Sequence, residues 1–150
     1  MKRKIILFFL ILMPVAVFSQ DMNSLNFINA LGDRDRATFG DAVRFFAISR
    51  AGRSAGFRAD LAVLKKDGIA EGMDYKEDLP LKRGTLAIMI SGYMPLEDSL
   101  LFTLFGGKRY ATRACIAEGV MNYDVSEGDY ISGEELIEIM ANLTEKTGDK

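Results

Sequence analysis

The chain has 150 residues, 49% apolar and 27% charged, enough to bury the core of one domain and too apolar for a disordered or fibrous protein. It has no histidine and a single cysteine, Cys115, so Ser-His-Asp, Cys-His and zinc-type arrangements cannot be assembled and no internal disulfide is available. The formal charge of −2 becomes about −5 once Lys2, Arg3 and Lys4 are set aside, which argues against a nucleic-acid binder.

Those three cations precede an apolar run from Ile5 to Phe18, with small Ala16 and Ser19 near its end. This is the pattern of a secretory signal peptide over residues 1–19, cleaved after Ser19 or Gln20. About 14 apolar residues interrupted by Pro14 fall short of the ~20 that span a bilayer. No cysteine follows the run to take a lipid anchor, so the reading is an exported protein of the periplasm or cell envelope.

Residues 20–38 mix polar and turn residues without sustained periodicity and read as a linker. The folded domain is expected over 39–146, with a disordered tail at 147–150. Apolar periodicity predicts helices at 41–50, 57–67, 83–94, 97–105, 108–118 and 133–146, punctuated by Gly52, Gly56, Gly68, Pro80, Pro95, Gly106, Gly107 and Gly119. The fold class is therefore all-α, a single small domain of short helices.

Two of these helices begin alike. Leu81 and Leu86 occupy the N′ and N4 positions of a hydrophobic staple, and so do Ile131 and Leu136. Ser132 and Glu135 can form a capping box, whereas Lys82 and Thr85 stand in those positions in the first copy and cap less well, by ~1 kcal/mol. Downstream, Leu86, Met89, Ile90 and Tyr93 match Leu136, Ile139, Met140 and Leu143, so both helices bury one stripe of equal width. The preceding helices end on Gly68-Ile69 and Gly119-Val120, each suited to a Schellman cap in which Ile69 packs on Leu64 and Val120 on Cys115. The pattern is helix, loop, helix, written twice.

The stretch "DGIAEGMDYKEDLPLKRGTLAIMI" resembles the S-layer homology repeat, a helix ending in Gly-Ile, a glycine-containing loop with an aromatic, then Leu-Thr-Arg-Ala-Glu and an apolar helix. Gly68, Ile69, Gly72, Tyr75, Pro80, Leu81 and Arg83 fall at matching places. A more diverged copy matches through Gly119, Val120, Gly128, Tyr130, Ile131, Ser132 and Glu135, with Gly133 where the motif arginine would stand. Phe39 and Asp41 echo the Phe-x-Asp that opens such a repeat. The resemblance implies repeats around a shared axis, three in the family against two visible in this sequence, and cell-wall glycan bound in the grooves between them. It places the ligand-binding residues around the first copy: Arg83, whose fork pairs with carboxylates, with Lys82, Asp78 and Tyr75. No cofactor is implied.

Charge supplies the alternative. Residues 34–58 carry six arginines against Asp35 and Asp41, whereas residues 117–150 carry nine acids against Lys146 and Lys150. An arginine-rich helical face with Arg44, Arg50 and Arg53 would suit docking on an acidic partner protein. A calcium loop over 124–135 is disfavoured, because Gly128 offers no ligand oxygen and Asp129 stands where the sharp turn wants glycine. Adjacent acids such as Glu134 and Glu135 suit a helix N-terminus rather than catalysis. The sequence reading is a non-enzymatic exported module that binds cell-wall glycan or anchors to the envelope.

Overall fold

Three short extended segments, each leading into a helix, meet at the centre of the molecule and fix its architecture. The computed structural model describes residues 14–96 and 100–148. Its helices are α1 (Pro14–Gly32), α2 (Phe39–Ala51), α3 (Phe57–Lys66), α4 (Arg83–Tyr93), α5 (Leu100–Phe105), α6 (Lys108–Ala117) and α7 (Gly133–Gly148). Among the described residues β-type pairing is limited to two isolated antiparallel bridges, Thr38 to Pro80 and Lys82 to Tyr130. The fold is all-α.

The central residues are Ala37, Leu81 and Ile131, all buried. The N–H of Ala37 donates to the carbonyl of Ile131 (2.8 Å), Ile131 to Leu81 (3.1 Å) and Leu81 to Ala37 (2.9 Å). The three bonds close a ring in which each segment gives one and receives one. The same rotation governs the next layer: Phe39 donates to Leu79, Arg83 to Asp129 and Gly133 to Arg34, at 2.8, 3.0 and 2.9 Å. Gly40 and Gly84 then donate to Glu77 and Glu127, both at 2.9 Å. A helix start leaves four N–H groups without intrahelical partners. Here α2 and α4 satisfy their first two, and α7 its first, on the loop of the next unit around the axis.

The helices pair by the same rule, α2 with α3, α4 with α6, and α7 with α1. The first and last helices of the described chain thus form the third pair and close the ring. One core cluster runs through all three pairs, from Phe27 and Leu31 through Phe46 and Ile90 to Leu143.

Both expected repeats are present in detail. Gly68 and Gly119 take φ of +78° and +71°, the left-handed conformation open to glycine. Ile69 donates to Leu64 and Gly68 to Lys65; Val120 donates to Cys115 and Gly119 to Ile116, so each Schellman cap carries both its bonds. Leu81, Leu86, Ile131 and Leu136 are all buried.

The segment read as a linker differs from expectation. Residues 14–32 are helical, and Phe27 and Leu31 are buried at 6% and 0% exposure. The domain therefore starts well before residue 39. Phe39 and Asp41 do not open a repeat; they occupy the places of Arg83 and Thr85 in a third copy of the motif, Ala37-Thr38-Phe39-Gly40-Asp41. Its loop, between Gly32 and Ala37, is far shorter than the other two, which removed the usual spacing from view. The expected disordered tail at 147–150 begins instead as helix, since α7 runs through Thr147 and Gly148; residues 1–13, 97–99 and 149–150, including most of the signal segment and the start expected for the helix at 97–105, lie outside the described residues.

Candidate functional site

The motif copies at 37–41 and 81–85 each place their second and fifth residues in a groove between neighbouring units. In the second copy these are Lys82, at the N-cap of α4, and Thr85, one turn further on. Lys108, the first residue of α6, faces them, with Tyr75, Leu79 and Pro80 of the second loop and Tyr130 of the third completing a cavity of about 290 Å³. Lys82 Nζ lies 5.3 Å from the centre of the Tyr130 ring. Lys108 Nζ lies 5.6 Å from the Tyr75 ring and 3.4 Å from its hydroxyl. Arg36 does not line the cavity but also stacks on Tyr130, its guanidinium 4.7 Å from the ring centre. No carboxylate lines this cavity. The local physics is that of a cationic pocket with aromatic walls.

The rotation carries this groove onto a second one, of about 620 Å³, where Thr38 takes the place of Lys82, Asp41 that of Thr85 and Phe57 that of Lys108. Its chemistry is different. Arg34 holds both oxygens of Asp41 through one terminal nitrogen, at 2.7 and 2.8 Å. Asp41 also accepts from the Thr38 backbone and hydroxyl, each 2.9 Å, as its half of a capping box. Glu77 and Asp78 add two acids. The lining charges differ: Arg34 and Arg44 stand with Asp41, Glu77 and Asp78 in this groove, whereas the charged residues lining the other are Lys82 and Lys108.

Of the four residues expected around the glycan, the structure brings Lys82 and Tyr75 together and separates the others. Asp78 lines the acidic groove. Arg83 is no free fork: its terminal nitrogens bind both oxygens of Glu135, Nη2 to Oε2 at 2.9 Å, and its side chain is 11% exposed. The reason is tertiary, since Glu135 lies 52 residues away and arrives only when α7 docks beside α4. The capping box expected at Ser132 is accordingly half formed. Ser132 Oγ accepts from Glu135 N at 3.1 Å, while the Glu135 carboxylate serves Arg83.

The arginines expected to form a docking face are also divided. Arg44 stacks on Phe27, 4.3 Å from its ring centre, and its buried Nε has no hydrogen-bond partner among the described residues. Arg50 pairs with Asp67 at 3.1 Å. Arg53 is exposed and shares with Arg44 a cavity of about 540 Å³.

Sequence reasoning did not select Lys108 or Tyr130 as residues of this groove. Their signal was positional. Tyr130 stands immediately before Ile131 as Pro80 stands before Leu81, and Lys108 opens its helix as Phe57 opens α3. Cys115 offers no nucleophile: burial, and secondarily the charge of Glu118, push its thiol up to about 12. Comparison with protein-family models, with curated proteins and with solved structures found no match to this chain.

Proposed function

We propose that the protein is a non-enzymatic, exported envelope module that binds an acidic cell-wall glycan in the groove between its second and third units. The observation that carries this reading is the pairing of Lys82 and Lys108 with Tyr75 and Tyr130 around one carboxylate-free cavity. Sugars stack their apolar faces on aromatic rings, and ammonium groups bind the carboxylates that distinguish acidic glycans. The ring of three motif copies supports the reading, since it is the arrangement that the S-layer homology resemblance implies.

The test is sedimentation of the protein with purified sacculi. The double change Lys82→Ala and Lys108→Ala is expected to weaken co-sedimentation at least tenfold, about 1.4 kcal/mol, with unchanged thermal stability. Binding unchanged in that variant, or wild-type protein that ignores sacculi at low salt, overturns the reading. Arg83→Ala is a poor probe of the ligand, because it strands Glu135. The alternative, docking of an acidic protein, now rests on Arg44 and Arg53, which share a cavity. Changing those two and retaining sacculus binding separates the two readings.

A further inference from the structure

The connection between α4 and α6 is longer than its counterpart between α2 and α3; within it Phe102 of α5 packs against the core and the C-terminal end of α5 is exposed. At the end of α5, Leu104 and Phe105 are 73% and 66% exposed, among the most exposed large apolar side chains of the described residues. Phe105 stacks on Tyr110 of α6, ring centres 5.6 Å apart and planes at 28°. A stacked pair of this kind holds the apolar tip in one shape. Tyr110 lies one helical turn from Arg113, and Arg109 lies one turn from it as well, so the three residues share a face of α6. Both arginines are exposed, and neither makes an ion pair among the described residues.

From Leu100 to Ala117 the chain has three basic residues and no acid, in a protein whose formal charge is negative. Glu97 and Asp98 precede this stretch, outside the described residues, and Glu118 follows it. An acidic protein surface would answer the arginines but not the exposed leucine and phenylalanine. An anionic bilayer answers both: its headgroups attract arginine, and its interface accepts Leu, Phe and Tyr side chains to a shallow depth.

We propose that the α5–α6 knuckle, with Leu104, Phe105 and Tyr110 at its tip and Arg109 and Arg113 beside them, docks the protein on an anionic phospholipid surface. The contact is peripheral and reversible. It uses none of the groove residues tested above, so the two activities separate by mutation.

The chain has no tryptophan, so a single Phe105→Trp change makes this tip its own reporter. A Tyr123→Trp variant, at an 89% exposed position elsewhere, is the control. Each full-length variant is mixed with vesicles of phosphatidylglycerol and phosphatidylcholine, and with phosphatidylcholine alone. Expected for Phe105→Trp is a blue-shifted emission and a several-fold drop in acrylamide quenching with the anionic vesicles only, reversed by high salt. The Tyr123→Trp emission stays put. Adding Arg109→Gln and Arg113→Gln to Phe105→Trp is expected to abolish the shift. No shift in the Phe105→Trp protein, an equal shift in the Tyr123→Trp control, or a shift indifferent to the two arginines overturns the proposal. A blue shift that appears with protein concentration alone, together with a dimer in sedimentation velocity, assigns the tip to self-association and overturns it too.

Discussion

At the scale of single residues, capping separates the three motif copies more clearly than packing does. Thr38 carries a complete capping box, Ser132 one side-chain bond and Lys82 none. Thr38→Ala and Ser132→Ala are each expected to lose about 0.5–2 kcal/mol of stability, whereas Lys82→Ala loses almost nothing. Urea unfolding of the three variants checks the order. Cys115 yields a second expectation, because burial lifts its thiol from an ordinary value of 9.0 to about 12. In the unfolded chain the thiol ionises first, so its contribution to stability is complete below pH 9 and declines as the pH rises toward 12, by up to about 1.4 kcal/mol per unit. A Cys115→Ala variant should show a shallower alkaline slope, and native wild-type protein should resist thiol reagents at neutral pH until it unfolds.

At the scale of elements, the helix starts depend on close backbone approach. Gly133 begins α7 directly beneath the end of α1: a Cβ there would stand 1.7 Å from the carbonyl oxygen of Leu31. This explains why the motif arginine has no counterpart in the copy at 131–135. Gly133→Ala is expected to cost at least about 2 kcal/mol, while Gly128→Ala, which meets nothing within 4 Å, stays within about 0.5 kcal/mol. Thermal unfolding of the pair measures the difference. Arg83 and Glu135 show the same dependence on neighbours. Each looks like an exposed first-turn residue in its own helix, and together they form a largely buried ion pair whose disruption leaves a charge behind.

At the scale of the whole molecule, the chain is a closed ring of three helix pairs, and the pair that closes it joins α1 to α7. Removing residues 1–32 would uncover the apolar side of α7 and delete Phe27 and Leu31 from the shared core. That truncation is expected to abolish the cooperative thermal transition, because a core divided among units that cannot bury their own faces unfolds as one. Calorimetry decides it: a sharp transition in the shortened chain would mean that two units suffice.

Local sequence determined what depends on neighbours a few residues away. The Schellman ends at Gly68 and Gly119, the staples around Leu81 and Ile131 and the stripes of α4 and α7 were all legible, because their partners lie within two helical turns. Lys82 and Tyr75, expected near a ligand from the resemblance alone, line one cavity, whereas Arg83 and Asp78, expected with them, do not. Tertiary structure alone decided the rest. The third motif copy, at 37–41, is hidden in sequence by a small central residue, Ala37, and a short loop; it is recognised by the hydrogen bonds it closes with Leu81 and Ile131. Whether an arginine is a ligand or half of an ion pair depends on what arrives from 52 residues away, as Glu135 does for Arg83. The charge of each groove likewise emerges only when Lys82 and Lys108, or Arg34, Arg44, Asp41, Glu77 and Asp78, are brought together, since charge acts through distance in space and not along the chain.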